Sequence, residues 1–294
     1  MAIRFDDIGN RLKAFRLASG LSADEIARRL DISRAAVYRF ERGELVKIET
    51  LEKLSELLGV SVPTLLGVGV EYLPSAVAYF ERIRQIEETA SHIIVLAGPI
   101  SYLLASPSFH ERLAEILDES IPEGVTDRRR ALADIAQIMA ILGQRKQKYA
   151  TRRPAIVNLL AASELGRLLQ NGLAGRFDLS KRLLRDRQAY ARVEVEHLLN
   201  LIEEEPIGVQ IGIVPDTLPH TGFQIFRQPD REVLSISPFR LGEHPNVRVG
   251  VAMVTSAPEA LTLHHGTAAE MWKRASKGSA AAKNLKDLLQ LYKK

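Results

Sequence analysis

Apolar positions at helical spacing, interrupted by capping residues and glycines, fill the first 66 residues of the chain. The pattern predicts four helices and a final helical turn, over residues 8–19, 22–30, 34–42, 48–58 and 61–66. Ser22 and Ser33 stand where a hydroxyl can cap a helix, and Glu25 completes a capping box with Ser22. This block is therefore predicted to be a small all-α domain of five helices.

Helix and strand patterns alternate over the longer remainder of the chain. Alternating or continuous apolar runs predict strands at 93–96, 209–213, 223–226, 233–236 and 247–254, while 155–160 fits either a strand or a helix. Helices are predicted over 109–117, 128–142, 179–205, 258–274 and 284–291. This mixture predicts a C-terminal α/β domain with sandwich-like layers.

Two glycines and a proline, Gly67, Gly69 and Pro74, mark a join between the two blocks. We divide the chain into a helical domain at 1–67, a linker with a candidate dimerisation helix at 68–91, and an α/β domain at 92–294. The candidate helix carries an apolar stripe made of Tyr79, Phe80, Ile83 and Ile86. Such a stripe fits either a dimer seam or a face packed against the chain's own C-terminal block.

Composition narrows the class of protein. Of the 294 residues, 46% are hydrophobic and 26% are charged, as in an ordinary globular protein. The absence of cysteine excludes disulfides, thiolate metal ligands and cysteine nucleophiles, and it fits a reducing compartment. The apolar run at 93–109 is broken by glycine and proline, and the first residues lack a signal-peptide pattern, so we expect a cytoplasmic protein without a membrane span. The formal charge of +4 permits a polyanionic partner.

Two short helices joined by a brief turn, the second with a polar outer face, make a helix-turn-helix. Three segments carry the characteristic residues of such a motif: Leu21-Ser22-x-x-Glu25-Ile26-Ala27, Ile32-Ser33-x-x-x-Val37-x-x-Phe40-Glu41-x-Gly43 and Leu51-x-x-Leu54-x-x-x-Leu58-Gly59-Val60. With these residues the segment resembles the Xre/Cro-type DNA-binding domain of phage repressors and many bacterial regulators.

The resemblance implies that the third helix enters the major groove of double-stranded operator DNA. The residues expected to contact bases are Arg34, Ala35, Tyr38 and Arg39. Those expected to contact phosphates are Ser22, Ser33, Arg42 and Lys47. Arginine can bind guanine through two hydrogen bonds, and alanine can contact a thymine methyl group. In this family a basic residue of helix one pairs with the glutamate that ends helix three, here Arg16 with Glu41.

The sequence also departs from this family. Ala23 stands where glutamine often contacts DNA, and Asp31 stands where glycine often forms the turn. The usual proline-serine start of helix four is replaced by Val46-Lys47. The expected fold survives these changes, but the operator sequence does not follow from the resemblance.

Signals of catalysis are scarce in the C-terminal block. The strand-helix-strand order fits a phospholipase-D-like core, yet none of the seven histidines has the lysine two residues later that such a site needs. Phosphate-binding loops and the motifs of zinc proteases and serine hydrolases are also missing. His264 and His265 diverge by about 100° on a helix, so they poorly share one metal ion. We expect no catalytic residue, no metal site and no cofactor.

Two residues are candidates for binding a small-molecule effector. His220 lies in a loop between predicted strands, where it could line a pocket or simply belong to a surface turn. Trp272, the only tryptophan, could stack on a ligand or belong to the core.

Together these observations predict a sequence-specific DNA-binding transcriptional regulator that is not an enzyme. Because one such domain covers only a half-site, we expect a homodimer. The appended C-terminal domain is expected to dimerise and to sense a small-molecule effector. Two alternatives stay open. The C-terminal domain could be an enzyme autoregulated by the helix-turn-helix, or the chain could be an antitoxin or controller that responds to a protein partner.

Overall fold

The computed structural model of the chain describes residues 5–44, 47–96, 98–215, 218–219 and 221–293. Within these ranges, five N-terminal helices are followed by a mixed α/β domain built on one seven-stranded sheet. This architecture confirms the predicted fold class. No helix in the described ranges is long and apolar enough to cross a membrane.

The helical region follows the sequence pattern closely. Its helices are α1 (Phe5–Ser19), α2 (Ala23–Leu30), α3 (Arg34–Glu41), α4 (Ile48–Leu58) and α5 (Val62–Leu66). Ser22 and Ser33 cap α2 and α3, each accepting a hydrogen bond from a backbone N–H three residues later. The capping box is only half formed, because the carboxylate of Glu25 binds Arg29 at 2.5 Å. Asp31 adopts the left-handed conformation at the turn before α3, the conformation that glycine, often found at this position in the family that the sequence resembles, adopts readily.

The α/β domain contains the remaining elements. In chain order they are β1 (Val70–Leu73), α6 (Ala76–Glu87), β2 (His92–Leu96), a 3₁₀ turn (Tyr102–Leu104), α7 (Phe109–Glu119), α8 (Arg128–Arg152), β3 (Ala155–Ala161), α9 (Ala162–Asn171), α10 (Lys181–Glu204), β4 (Val209–Val214), β5 (Phe223–Arg227), β6 (Glu232–Ile236), β7 (Ala252–Thr255), α11 (Pro258–Arg274) and α12 (Gly278–Leu291). The strand order is β1-β7-β6-β5-β2-β3-β4. The strands β2, β3 and β4 are parallel, and the other neighbours are antiparallel.

Several elements differ from the sequence prediction. The helix α8 extends to Arg152, beyond its predicted end at residue 142, and α12 begins at Gly278, before its predicted start at residue 284. The strand β1 and the helix α9 were not predicted, and the strand predicted at 247–254 is reduced to β7. The shortening arises because residues 246–249 form a turn, in which the Asn246 side chain donates to the carbonyl of Val249 at 2.7 Å. The strand β1 was not predicted because its four residues lie between Gly69 and Pro74, and such flanking residues are typical of a linker.

The two faces of the sheet are covered unequally. One face belongs to the main hydrophobic core, together with the helices α6–α10 and α12. The opposite face packs against α11 in a smaller cluster that includes Leu96, Leu159 and Ala268. The alternation of apolar residues along each strand explains this division, since successive side chains point to opposite faces.

The apolar stripe of α6 lies inside the molecule. Its residues Tyr79, Phe80, Ile83 and Ile86 are each at most 4% exposed. α6 is sandwiched between α1 of the helical region and α8 of the α/β domain. The stripe therefore packs within its own chain and does not supply a dimer seam, which corrects the role considered for residues 68–91.

A buried ion-pair triad joins the two regions. Glu71 of β1 accepts from Arg82 of α6 at 2.9 and 3.0 Å, and its carboxylate also lies 2.6 Å from Nε of Arg11 in α1. All three side chains are at most 6% exposed. Gly67 makes room for this arrangement, because a Cβ there would lie 2.2 Å from the Arg11 guanidinium.

The charges of the triad depend on one another. Burial alone would raise the pKa of Glu71, but the attraction of Arg82 and Arg11 outweighs it and holds this pKa below its ordinary value. Burial lowers the pKa of Arg11, and Glu71 opposes that effect. The single carboxylate thus compensates two buried guanidinium groups.

Replacing Glu71 by glutamine should destabilise the protein by about 3–5 kcal/mol, since it leaves two arginines buried without their counter-charge. Because the folded-state pKa of Glu71 is lowered, its stabilising contribution is present above the ordinary carboxyl pKa and is lost as the pH falls through the lowered value. Chemical denaturation at several pH values measures both effects. The control Glu123→Gln removes a carboxylate that is 86% exposed and should change stability by less than about 1 kcal/mol. Equal losses in the two variants would contradict the role given to the triad.

Candidate nucleic-acid interface

The helix α3 presents one buried and one open face. Ala36 and Val37 pack into the core of the helical region. The four residues expected to contact bases all lie on the exposed side. They are Arg34, Ala35, Tyr38 and Arg39. The structure therefore brings these residues together on one surface that a nucleic acid can reach.

Both arginines on this surface have weak acidic partners. Arg34 lies 3.4 Å from Asp24 and donates to the hydroxyl of Tyr38 at 3.3 Å, a hydrogen bond that raises the pKa of Arg34. Arg39 lies 3.6 Å from Glu44. Since Arg34 and Arg39 are 59% and 52% exposed in these pairs, water screens the attraction and the guanidinium groups can exchange partners at little cost.

The four residues expected to contact phosphates surround this face. Ser22 and Ser33 are exposed, and each hydroxyl accepts a backbone hydrogen bond. Their hydroxyl protons can still donate to an anion. Arg42 follows the last residue of α3 and Lys47 precedes the first residue of α4, and both are exposed. Val46, which precedes Lys47, lies outside the described residues.

An ion pair fixes the end of α3 to α1. Arg16 donates to Glu41 through two nitrogens, at 2.5 and 3.2 Å. The side chains are 12% and 8% exposed. The pairing implied by the resemblance is thus present, and it orients the recognition surface relative to α1.

A close backbone contact reinforces this ion pair. A Cβ on Gly9 of α1 would lie 2.6 Å from the carbonyl oxygens of Phe40 and Glu41 and from the nitrogen of Gly43. Only glycine permits α1 to approach the end of α3 so closely. Gly9 was not among the predicted site residues, although a glycine inside a helical pattern is the sequence signal of such a close approach.

The effector candidates lie elsewhere. The ring of Trp272 packs against Gly212, where a Cβ would lie 2.9 Å from it, and the ammonium of Lys277 is 4.8 Å from its centroid. Trp272 and Lys277 also line a cavity of about 610 Å³ beside β4. The other candidate, His220, lies outside the described residues.

The adjacent histidines bind separate partners. His264 contacts the carbonyl of Ala260 at 2.8 Å, and His265 contacts Glu232 at 2.9 Å. Among the described residues, no group of three or more potential ligands of the histidine, cysteine or carboxylate type could hold a metal ion.

Comparison with known proteins identifies the helical region. Residues 12–65 match the Helix-turn-helix family model. These residues form an Xre-like helix-turn-helix domain. The match indicates a DNA-binding transcription regulator. It covers the recognition surface described above and does not extend into the α/β domain.

The chain is similar to the structure of TrmBL2, described as an archaeal chromatin protein with a novel mode of DNA binding. The identity is 12% and the TM-score 0.33, over 78% of this chain and 61% of that one. This chain therefore spans less than two thirds of the length of that protein. No curated protein sequence matches the chain significantly.

Replacing Gly9 by alanine should force α1 away from the end of α3 and destabilise the protein by about 1–3 kcal/mol, as overpacking does. Gly266 of α11 is a matched control, since a Cβ there has nothing within 4 Å. Gly266→Ala should raise stability by up to about 1 kcal/mol through helix propensity. Thermal unfolding compares the variants, and a Gly9→Ala protein as stable as Gly266→Ala would disprove the close contact.

Proposed function

We propose that the chain is a sequence-specific transcriptional regulator that acts on operator DNA in the cytoplasm. The observation that carries this proposal is the open face of α3. There two exposed arginines, Arg34 and Arg39, project from a helix whose other face is anchored in the core. The helix-turn-helix match over residues 12–65 supports it.

The chemistry of the surface suits the two parts of a DNA site. Arg34 and Arg39 each carry a fork of donors that fits the acceptor edge of guanine in the major groove. Ser22 and Ser33 offer hydroxyl protons, and Arg42 offers a charge, to the phosphates on either side. The contacts with phosphates make the affinity for DNA fall as the salt concentration rises.

Selection from a pool of random 30-base-pair duplexes tests the proposal and yields the operator. Arg39→Ala should relax the preference at one base pair, a loss of about 1–3 kcal/mol of discrimination, while the melting temperature stays nearly unchanged. Arg248→Ala removes another exposed arginine, in a loop of the α/β domain, and should retain the full preference. If no sequence is enriched at low ionic strength, the proposal fails. If Arg39→Ala unfolds the protein, Arg39 is structural.

We also propose that the regulator binds its operator as a homodimer. One copy of α3 reads only a half-site, and two copies about 34 Å apart read a symmetric site on one side of the duplex. Since the α6 stripe is buried within the chain, the two copies must meet through another surface.

The α/β domain is proposed to respond to a small-molecule effector and not to catalyse a reaction. Cavities of about 570 and 610 Å³ lie beside α10 and β4, within the range of small-molecule sites. Because α1 is fixed to α6, an effector bound in one of these cavities cannot move α3 independently of the α/β domain. It would instead change how the two protomers of the dimer are placed, and with that the spacing of the two α3 helices.

Sedimentation at concentrations that saturate the selected duplex should give a dimer, and a complex of one chain per duplex would contradict dimerisation.

A metabolite library screened by thermal shift should yield compounds that raise the melting temperature of the protein and change its affinity for that duplex. If no compound does both, the sensing role fails while DNA recognition stands.

A further inference from the structure

A groove separates α3 from the α/β domain. The helical region lines it with Asn10, Lys13, Arg16, Ala35, Tyr38, Arg39, Glu41 and Arg42. The α/β domain lines it with Arg84, Glu88 and Gln144. We call it the interdomain groove; its volume is about 860 Å³. Three of the residues expected to contact bases, Ala35, Tyr38 and Arg39, therefore share a groove with a wall from the other domain.

The interdomain groove has a positive balance. Among its described lining residues, five are basic and two are carboxylates. Both carboxylates have cationic partners within the groove, since Glu41 binds Arg16 and Glu88 binds Arg84. The side chain of Lys13 is 40% exposed, and its ammonium lies 3.8 Å from the carboxylate of Glu81. This charge distribution suits an anion such as a phosphate.

The basic character continues onto the α/β domain. Arg84 also borders a small crevice lined by Lys148 and Arg152 of α8. These two residues are exposed and one helical turn apart, and Arg152 donates to the carbonyl of Glu88. Gln144, one turn before Lys148, is exposed as well. A polar and basic strip thus runs from α3 across the groove and along α8.

The wall that the α/β domain contributes to the interdomain groove is fixed relative to α3. The Glu71 triad joins α1 to α6, and Gln85 of α6 donates to the carbonyl of Asn10 at 3.0 Å. Asp7 pairs with Arg231 at 2.7 Å. The major groove is about 12 Å wide, so a duplex that receives α3 places phosphates close to that helix on both sides.

We propose that α8 binds the phosphate backbone flanking the half-site that α3 reads. The contacting side chains are Gln144, Lys148 and Arg152. The proposal rests on the DNA-binding function proposed above and extends the interface to a domain outside the helix-turn-helix. One chain would then cover more of the duplex than its five N-terminal helices can.

The absence of cysteine permits a direct test by site-specific cross-linking. In the full chain, Gln144→Cys carries the only thiol, to which an azidophenacyl photoprobe is attached. Ala35→Cys on α3 is the positive control, and Ser279→Cys on α12 is an exposed control on a different element. Each labelled protein is irradiated with the selected 30-base-pair duplex at an ionic strength that preserves specific binding.

Cross-linking from positions 144 and 35, but not 279, supports the proposal, and cross-links from position 144 should map outside the half-site. Cross-linking from position 35 alone overturns it and leaves the proposed function intact. Failure at both positions contradicts the proposed function itself. Equal cross-linking from position 279 also overturns the proposal, because the contact would then be non-specific.

Salt dependence supplies a second, independent measurement. The double variant Lys148→Gln, Arg152→Gln should reduce the slope of log affinity against log salt by about 2, since each lost phosphate contact contributes about 0.9. The double variant Lys273→Gln, Lys283→Gln removes the same charge from exposed positions on α11 and α12 and should leave the slope close to that of the parent chain. Equal slopes in the two double variants would refute a backbone contact by α8.

Discussion

The carboxylate of Glu71 is the interaction on which the arrangement of the two regions depends. Two guanidinium groups, from Arg11 and Arg82, are removed from water around it. Desolvating charges is costly, and the attraction between them offsets that cost only while the geometry is intact. β1, α1 and α6 are therefore held in one relation, and the helical region is not a module on a free tether.

The helix α3 is held in a fixed position relative to the α/β domain because α1 contacts both. The end of α3 is held by the Arg16–Glu41 pair and by the close backbone approach at Gly9. α1 is in turn held to α6 by the triad. Movements of the sheet would consequently carry α3 along, so in the proposed homodimer an effector of the α/β domain would act on the placement of whole protomers. This is why a signal far from DNA could still alter operator affinity.

Local patterns predicted the helical region well, because caps and apolar stripes act within a few residues of one another. The N-cap role of Ser33 and the exposure of Arg34 are examples. The Arg16–Glu41 pair came only from the family resemblance, since no local rule joins those positions. Glu71, Gly9 and the weak partners of the α3 arginines depend on tertiary packing, which a single sequence does not display. The four-residue β1 has linker-like neighbours in the sequence, and the partner that makes it a strand, β7, lies near the other end of the chain.

The position of β1 has a consequence for biosynthesis. Val70 of β1 pairs with Thr255 of β7, across nearly the whole α/β domain. Contacts so distant in sequence form slowly, because a long loop must close first. On the ribosome, the five N-terminal helices emerge early and can form through local contacts, whereas β1 has no partner until β7 appears. During that interval the residues of β1 have no sheet to join, so this edge of the sheet forms only after nearly all of the α/β domain has been synthesised.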